Sequence, residues 1–234
     1  MTEGSAKVRI SDPKEIERFE IQELLEHAEY NIANKTPSQA IRSLQEAWKL
    51  AERMGDDAHK VDILQLHAKC GTPKFRYKWI QKAIELANSS HDRRLECCMG
   101  RLYERLGWME YDFGKHHDSL AAFREAMKFY NSHGSSSDLY RVRVSIGRQL
   151  RATGDVKSAM ENNRKLLAEL DGFDLKDARL FEEIAECLYA LGEAQESRKF
   201  FAKAYQEFSN DNWVPDNQTV KLKRMKDMSK EKKY

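Results

Sequence analysis

An all-α fold of repeated helical hairpins is what this 234-residue sequence predicts. Three observations predict it. Apolar residues return every three or four positions over stretches of helix length, the period of one helix face. Short breaks marked by Gly, Thr-Pro or Asp divide those stretches, which folds neighbours back on each other. The composition agrees, with only 4 Pro, 11 Gly and 33% charged residues, and no β-branched run of strand length.

Residues 1–12 are small and polar and are expected to be disordered. Ser11-Asp12-Pro13 starts the first helix, a capping oxygen followed by Pro in the first turn. Its stripe is Ile16, Phe19, Leu24 and Ala28, widened by Ile21, Leu25 and Ile32. Thr36-Pro37 starts the second helix by the same logic, with Ala40, Leu44, Ala47 and Leu50, ending at Gly55. Asp56-Asp57 caps a third helix that ends near Cys70-Gly71. Thr72-Pro73 opens a fourth through Trp79, Ile80, Ala83, Leu86 and Ala87.

The central pair, opened by Asp92, spans Gly100 to Tyr130. Leu102, Leu106, Met109 and Phe113 form one stripe. Gly114-Lys115 breaks it, and Leu120, Phe123, Ala126, Met127 and Tyr130 form the next. Gly107 stands mid-helix, where Gly costs about 1 kcal/mol against Ala, so a close helix approach is expected there. A loop and cap at residues 134–138 leads to the fourth pair. The fifth pair covers 178–208, and Pro215-Asp216 opens a Lys-rich segment. In that segment Val220, Leu222, Met225 and Met228 suggest a helix capping the end of the array.

This pattern resembles the tetratricopeptide repeat (TPR). That motif has a large residue at position 4, Leu-Gly at 7 and 8, a small residue near 15, then small, aromatic and Ala at 20, 24 and 27. The central pair offers Tyr103, Leu106-Gly107, Gly114, Ser119, Phe123 and Ala126. The fourth offers Ile146-Gly147, Gly154, Ala159 and Leu166, with Leu150 at position 11. The fifth offers Phe181, Ile184-Ala185, Gly192, Ser197, Phe201 and Ala204, with Leu188 at position 11. The first pair matches at Leu24, Ala28, Ala40, Leu44 and Ala47. The second is the least typical, with Ile80 and Ala83 but Arg76 at the small position. Glu110 and His27 are further departures.

The position-27 residues recur at spacings of 36, 43, 40 and 38. Such long periods resemble kinesin light chain and Pins-type adaptors. The resemblance implies a right-handed solenoid of about five hairpins. The domain is read as 13–209, with hairpins at 13–54, 56–89, 92–131, 138–170 and 174–209, followed by a basic helix or tail at 216–234. Repeats of this kind are stable through nearest-neighbour stacking.

The overall charge is +2, so the chain has no global nucleic-acid signature. Residues 218–234 alone are net +5, which leaves −3 for the rest. That tail reads as a solubilising cap, a nuclear-localisation cluster, or a phosphate or lipid contact. Lys230 and Lys232 also match a dilysine signal, which is set aside because it requires a membrane anchor and no membrane run is read here. Four cysteines without framework spacing are read as reduced core residues. Without a signal-peptide core or membrane run, the expected location is the cytoplasm, with a nuclear address readable in the basic cluster.

Catalytic signatures are absent: no phosphate loop, no nucleophile elbow, no His-Glu-x-x-His. His67 and Cys70 lie one turn apart, but two ligands do not make a metal site. His116-His117 are read as capping or solvent-facing, and Glu182-Glu183 and Glu193/Glu196 as solvated faces. The expectation is a non-enzyme with no cofactor and no metal.

The TPR resemblance implies a ligand groove along the first helix of each hairpin. Carried over by position, it names Arg101, Glu104, Trp108 and Tyr111, then Arg141, Val144, Arg148 and Arg151, then Arg179, Glu182, Glu186 and Tyr189. No carboxylate lies between 139 and 154, so the arginines are expected to be unpaired. With Trp108 and Tyr111 they fit an acidic peptide carrying an apolar anchor. The competing reading is that Trp108 packs against a neighbouring helix and the arginines are merely solvated. The function expected is an adaptor or scaffold that holds a segment of another protein. The alternatives are a nucleic-acid-associated factor using Arg141, Arg148, Arg151 and the tail, and a regulatory subunit of an enzyme complex. A clamp for Hsp70 or Hsp90 tails is argued against, because no Asn follows position 8.

Overall fold

Alternating caps and left-handed breaks cut the chain into helices. The computed structural model describes residues 12–173, 175–211 and 218–230. Among them are eleven α-helices and no strand: α1 (Pro13–Ala33), α2 (Pro37–Met54), α3 (Asp57–Lys69), α4 (Pro73–Ser89), α5 (Glu96–Asp112), α6 (His116–His133), α7 (Ser136–Ala152), α8 (Val156–Asp171), α9 (Ala178–Ala190), α10 (Ala194–Ser209) and α11 (Thr219–Met228). A 3-10 turn, Arg93–Leu95, precedes α5. The expectations for residues 1–11, Pro215-Asp216 and Lys232 lie outside the described residues.

The breaks follow elementary backbone chemistry. Asp12, Asp56, Asp155 and Asp177 accept backbone N–H groups at the starts of α1, α3, α8 and α9. Ser135 and Asp138 close a reciprocal capping box on α7. Thr36 departs from the expected role: Pro37 does open α2, but the Thr36 hydroxyl donates to the Asn31 carbonyl and side-chain oxygens, 2.9 Å from each. Gly114, Gly154 and Gly192 have φ of 73°, 91° and 82°, the left-handed region where a Cβ is penalised. In the first hairpin the equivalent residue is Lys35, at φ 57°.

The chain divides into two compact units, Met1–Met109 and Glu110–Tyr234. In the first, α1 packs on α2 and α3, and α3 packs on α2 and α4. Its core gathers Ile21, Leu25, Ala28, Ala40, Leu44, Ala47 and Ile63. The α1 stripe is rotated from the expected one, since Ile16 and Phe19 are 50% and 55% exposed. Among the described residues α1 packs on α2 and α3, and Ile21, Leu25 and Ala28 face them. Buried Asp56 ties three segments together, facing Arg18 (3.3 Å), His59 (3.1 Å) and Arg94 (2.8 Å). Burial alone would raise its pKa. Hydrogen bonds from His59 and Arg94 outweigh this and hold the carboxyl at about 2.

In the second unit α7 packs on α6, α8 and α9, and α10 packs on α9 and α11. Gly147 on α7 is where a second helix comes close. A Cβ there would lie 2.2 Å from Oδ1 of Asn163 on α8. Asn163, fully buried, stands at the expected aromatic position of its hairpin. Phe113 is exposed at the end of α5, Cys97 is exposed rather than core, and Val220 is 82% exposed rather than packed.

Candidate functional site

The first unit carries an apolar groove of about 900 Å³ between α2, α3 and α4. Helical steps of three and four residues build each wall. Ile41, Gln45, Trp48 and Lys49 come from α2, Leu64 and His67 from α3, and Phe75, Trp79, Lys82 and Leu86 from α4. His67 stacks on Trp79 with ring centroids 4.7 Å apart and planes at 19°. Burial lowers the His67 pKa, so the ring is neutral near pH 7. The Lys82 ammonium stands 5.0 Å from the centroid of the Trp79 ring, a cation–π contact. Lys74, Lys78 and Lys82 recur at i, i+4 and i+8 along α4 and are exposed, as is Lys49. None of these four makes an ion pair with a described residue.

The groove opens where the sequence departs from the repeat motif. At the small position Arg76 turns outward and donates from Nε to the Gly71 carbonyl at 3.0 Å. Phe75 beside it is exposed. This site was not named from sequence. The available signal was the departure itself, together with Phe75 and Trp79 one turn apart.

The residues named from the resemblance divide between the two units. In the first, Arg101 on α5 is exposed, Glu104 is buried and Trp108 is half-buried. In the second, Tyr111 is half-buried, 5.6 Å from the His116 ring, and Tyr189 is exposed. His116 faces Gln149, with Nδ1 3.2 Å from Oε1, rather than open solvent.

The arginines expected to be unpaired are paired. Arg141 donates to Asp138 at 2.8 Å. Arg148 and Arg151 both donate to Glu183 on α9, at 2.6 and 3.0 Å. Glu182 lies 3.7 Å from Arg148. Glu183 is 1% exposed and Glu182 8%, so this pair is an internal ion cluster and not a solvated face. The correction has a plain cause. Arg141 takes an acid from its own first turn, three residues back, whereas Arg148 and Arg151 receive theirs from α9, more than thirty residues away. Lys221 of α11 reaches Glu182 at 2.7 Å, and Arg224 pairs with Glu186. Burial raises the Glu182 pKa, partly offset by Lys221 and Arg148.

Among the described residues no three His, Cys, Asp or Glu side chains cluster as a metal site, and no helix is long and apolar enough to cross a membrane.

No family model matches the sequence, and no curated protein matches it either. Solved structures do. A STAND-class signal-transduction ATPase with a tetratricopeptide repeat sensor, from Pyrococcus horikoshii, aligns at TM-score 0.66 and 13% identity over 89% of this chain. The match spans 36% of that protein's length. The TPR-like repeats of a putative kinesin light chain from Podospora anserina align at TM-score 0.61 and 12% identity, covering 89% of this chain and all of that one. MamA aligns at 0.55 and 16% identity, covering 76% of this chain and 92% of that one. The fold is TPR-like. The structural neighbours of this all-α chain are helical-hairpin solenoids.

Proposed function

We propose that this protein is a non-catalytic interaction module that holds a segment of a partner protein, and that the α2–α4 groove of the first unit is its docking site. The observation that carries this reading is an apolar, aromatic-floored groove whose lining lysines, Lys49 and Lys82, make no ion pair with a described residue. Such a surface loses free energy on covering its Trp and Phe faces. Its rim favours carboxylates. The ligand is therefore an acidic segment with an aromatic or aliphatic anchor. The TPR-like fold supports the same class of function, because its stacked hairpins present side chains on fixed helix faces. A phosphate-binding reading is disfavoured, since Arg141, Arg148 and Arg151 are already neutralised by Asp138 and Glu183.

A peptide display library screened against the full chain tests the proposal. Enrichment of anchored, Asp/Glu-flanked peptides is expected. It should fall at least tenfold with Lys78→Glu/Lys82→Glu and with Trp79→Ala. Enriched peptides that are basic, or that survive all three changes, would remove the groove as the site. Loss on Arg101→Glu or Tyr189→Ala instead would favour the face that the family resemblance implies, because both of those side chains are exposed.

A further inference from the structure

The ten residues of α11 are too few for a stable isolated helix in water. Docking therefore supplies its order, through one fully buried side chain, two partly buried ones and a set of cations. Met225 is fully buried among Phe181, Ala185, Phe201 and Phe208. Leu222 and Met228 are only partly covered. Among the described residues no side chain caps its N-terminus. What remains are cations. Lys221 joins Glu182 at 2.7 Å and stands 4.2 Å over the Phe208 ring. Arg224 joins Glu186 and lies 5.9 Å from the Phe201 ring. Lys226 is 5.9 Å from the Tyr205 ring.

From this we infer that the acidic, aromatic face of α9 and α10 is an exchangeable site for a basic amphipathic helix of a partner protein, and that α11 is its resident occupant.

The receptor side is built without α11. Arg148 and Arg151 anchor Glu183 from α7, which fixes the α9 backbone. Glu182 and Glu186 follow on that helix at the spacing of one turn. Without a cation from α11, these two carboxylates would face the site with Arg148 as the nearest counter-charge of Glu182. Desolvated carboxylates strongly favour a cation that arrives already held on a helix. The resident helix also states the recognition rule: a cation, a second cation three residues on, and a long apolar side chain four residues on. Lys221, Arg224 and Met225 fill those places. A partner helix of that pattern meets the same two carboxylates and the same aromatic faces. The tether gives α11 a high effective concentration, so a partner must be tight, or locally abundant, to replace it. This site is separate from the α2–α4 groove and takes a ligand of opposite charge.

A labelled peptide with the sequence of residues 218–230 is the probe, titrated by fluorescence anisotropy into the full chain. Weak binding to the wild-type chain is expected, and at least tenfold tighter binding to the full chain carrying Lys221→Glu/Arg224→Glu, whose own helix is repelled. Adding Glu186→Gln should weaken that binding at least threefold, because the carboxylate that meets Arg224 is gone. Hydrogen exchange on the wild-type chain should show α11 amides exchanging at least tenfold faster than those of α9 and α10. A folded double variant that ignores the peptide would overturn the inference. So would a double variant that loses the helicity of the second unit, or equal exchange rates across α9, α10 and α11, because each makes α11 an integral part of the core. Concentration-dependent dimers in sedimentation would make a second copy the occupant and overturn the assignment to a partner.

Discussion

The two units use the same hairpin and finish it in opposite ways. In the first, the space between α2 and α4 is left open. Its floor is Trp79 stacked on neutral His67, and its rim is lysine. In the second, the corresponding space beside α8 is a smaller hollow of about 610 Å³, where Met160, Ala168 and Leu191 are mixed with the charged Lys157, Glu161 and Arg164. The apolar and acidic face of α9 and α10 is covered by the chain's own basic helix. Under the proposed function, this contrast separates an open site from an occupied one. An exposed apolar surface with unsatisfied charge is ready for a partner, whereas a satisfied one must first release its occupant.

The largest test of that contrast is Glu183→Gln. It removes the carboxylate that Arg148 and Arg151 share in the second unit, and breaking a buried ion cluster costs about 3 kcal/mol. Hydrogen exchange should show the loss in α7 and α9, with α1–α4 unchanged. Lys82→Glu, on the exposed rim of the first unit, should move stability by no more than about 0.5 kcal/mol. Equal effects would dissolve the distinction between an internal cluster and a free rim.

Acid should attack the first unit through Asp56. Its folded pKa, about 2, lies below the ordinary carboxyl value of 3.8. The stabilisation is present above that ordinary value and is lost as pH falls from about 4 through 2, on the order of 2 kcal/mol. Urea unfolding of the chain and of Asp56→Asn across that range checks it, since the variant should lack the step. Gly147→Ala should weaken the second unit by about 1–2 kcal/mol, because the new Cβ collides with Asn163 and overpacking is destabilising. Thermal unfolding reads this, and Gly147→Ala/Asn163→Ala should recover part of the loss. The smallest expected effect is a gain. Lys35→Gly relieves a left-handed non-glycine residue and should stabilise the first unit by about 0.5–1 kcal/mol.

Legibility followed the range of the interactions. The left-handed glycines at 114, 154 and 192 were readable, because a local break needs only a local residue. The caps at Asp12 and Asp56 were readable for the same reason. Glu182 and Glu183 were not. Two adjacent acids on an amphipathic helix have the same local pattern whether they meet water or Arg148 and Arg151. The groove was hidden too, since Trp48, His67 and Trp79 belong to three helices and have no shared spacing. Phe19 shows the converse error. An apolar residue in register is core only where another element arrives to cover it.

By itself the sequence determined the helices, their breaks and the hairpin repeat, because backbone conformation answers to neighbours a few residues away. Tertiary structure alone decided which charges are spent internally and which remain available. Electrostatic pairing and burial depend on what lies across a helix interface, and that distance is not written along the chain. Arg148 found its acid on α9, Lys221 found one there too, and Lys82 among the described residues found none.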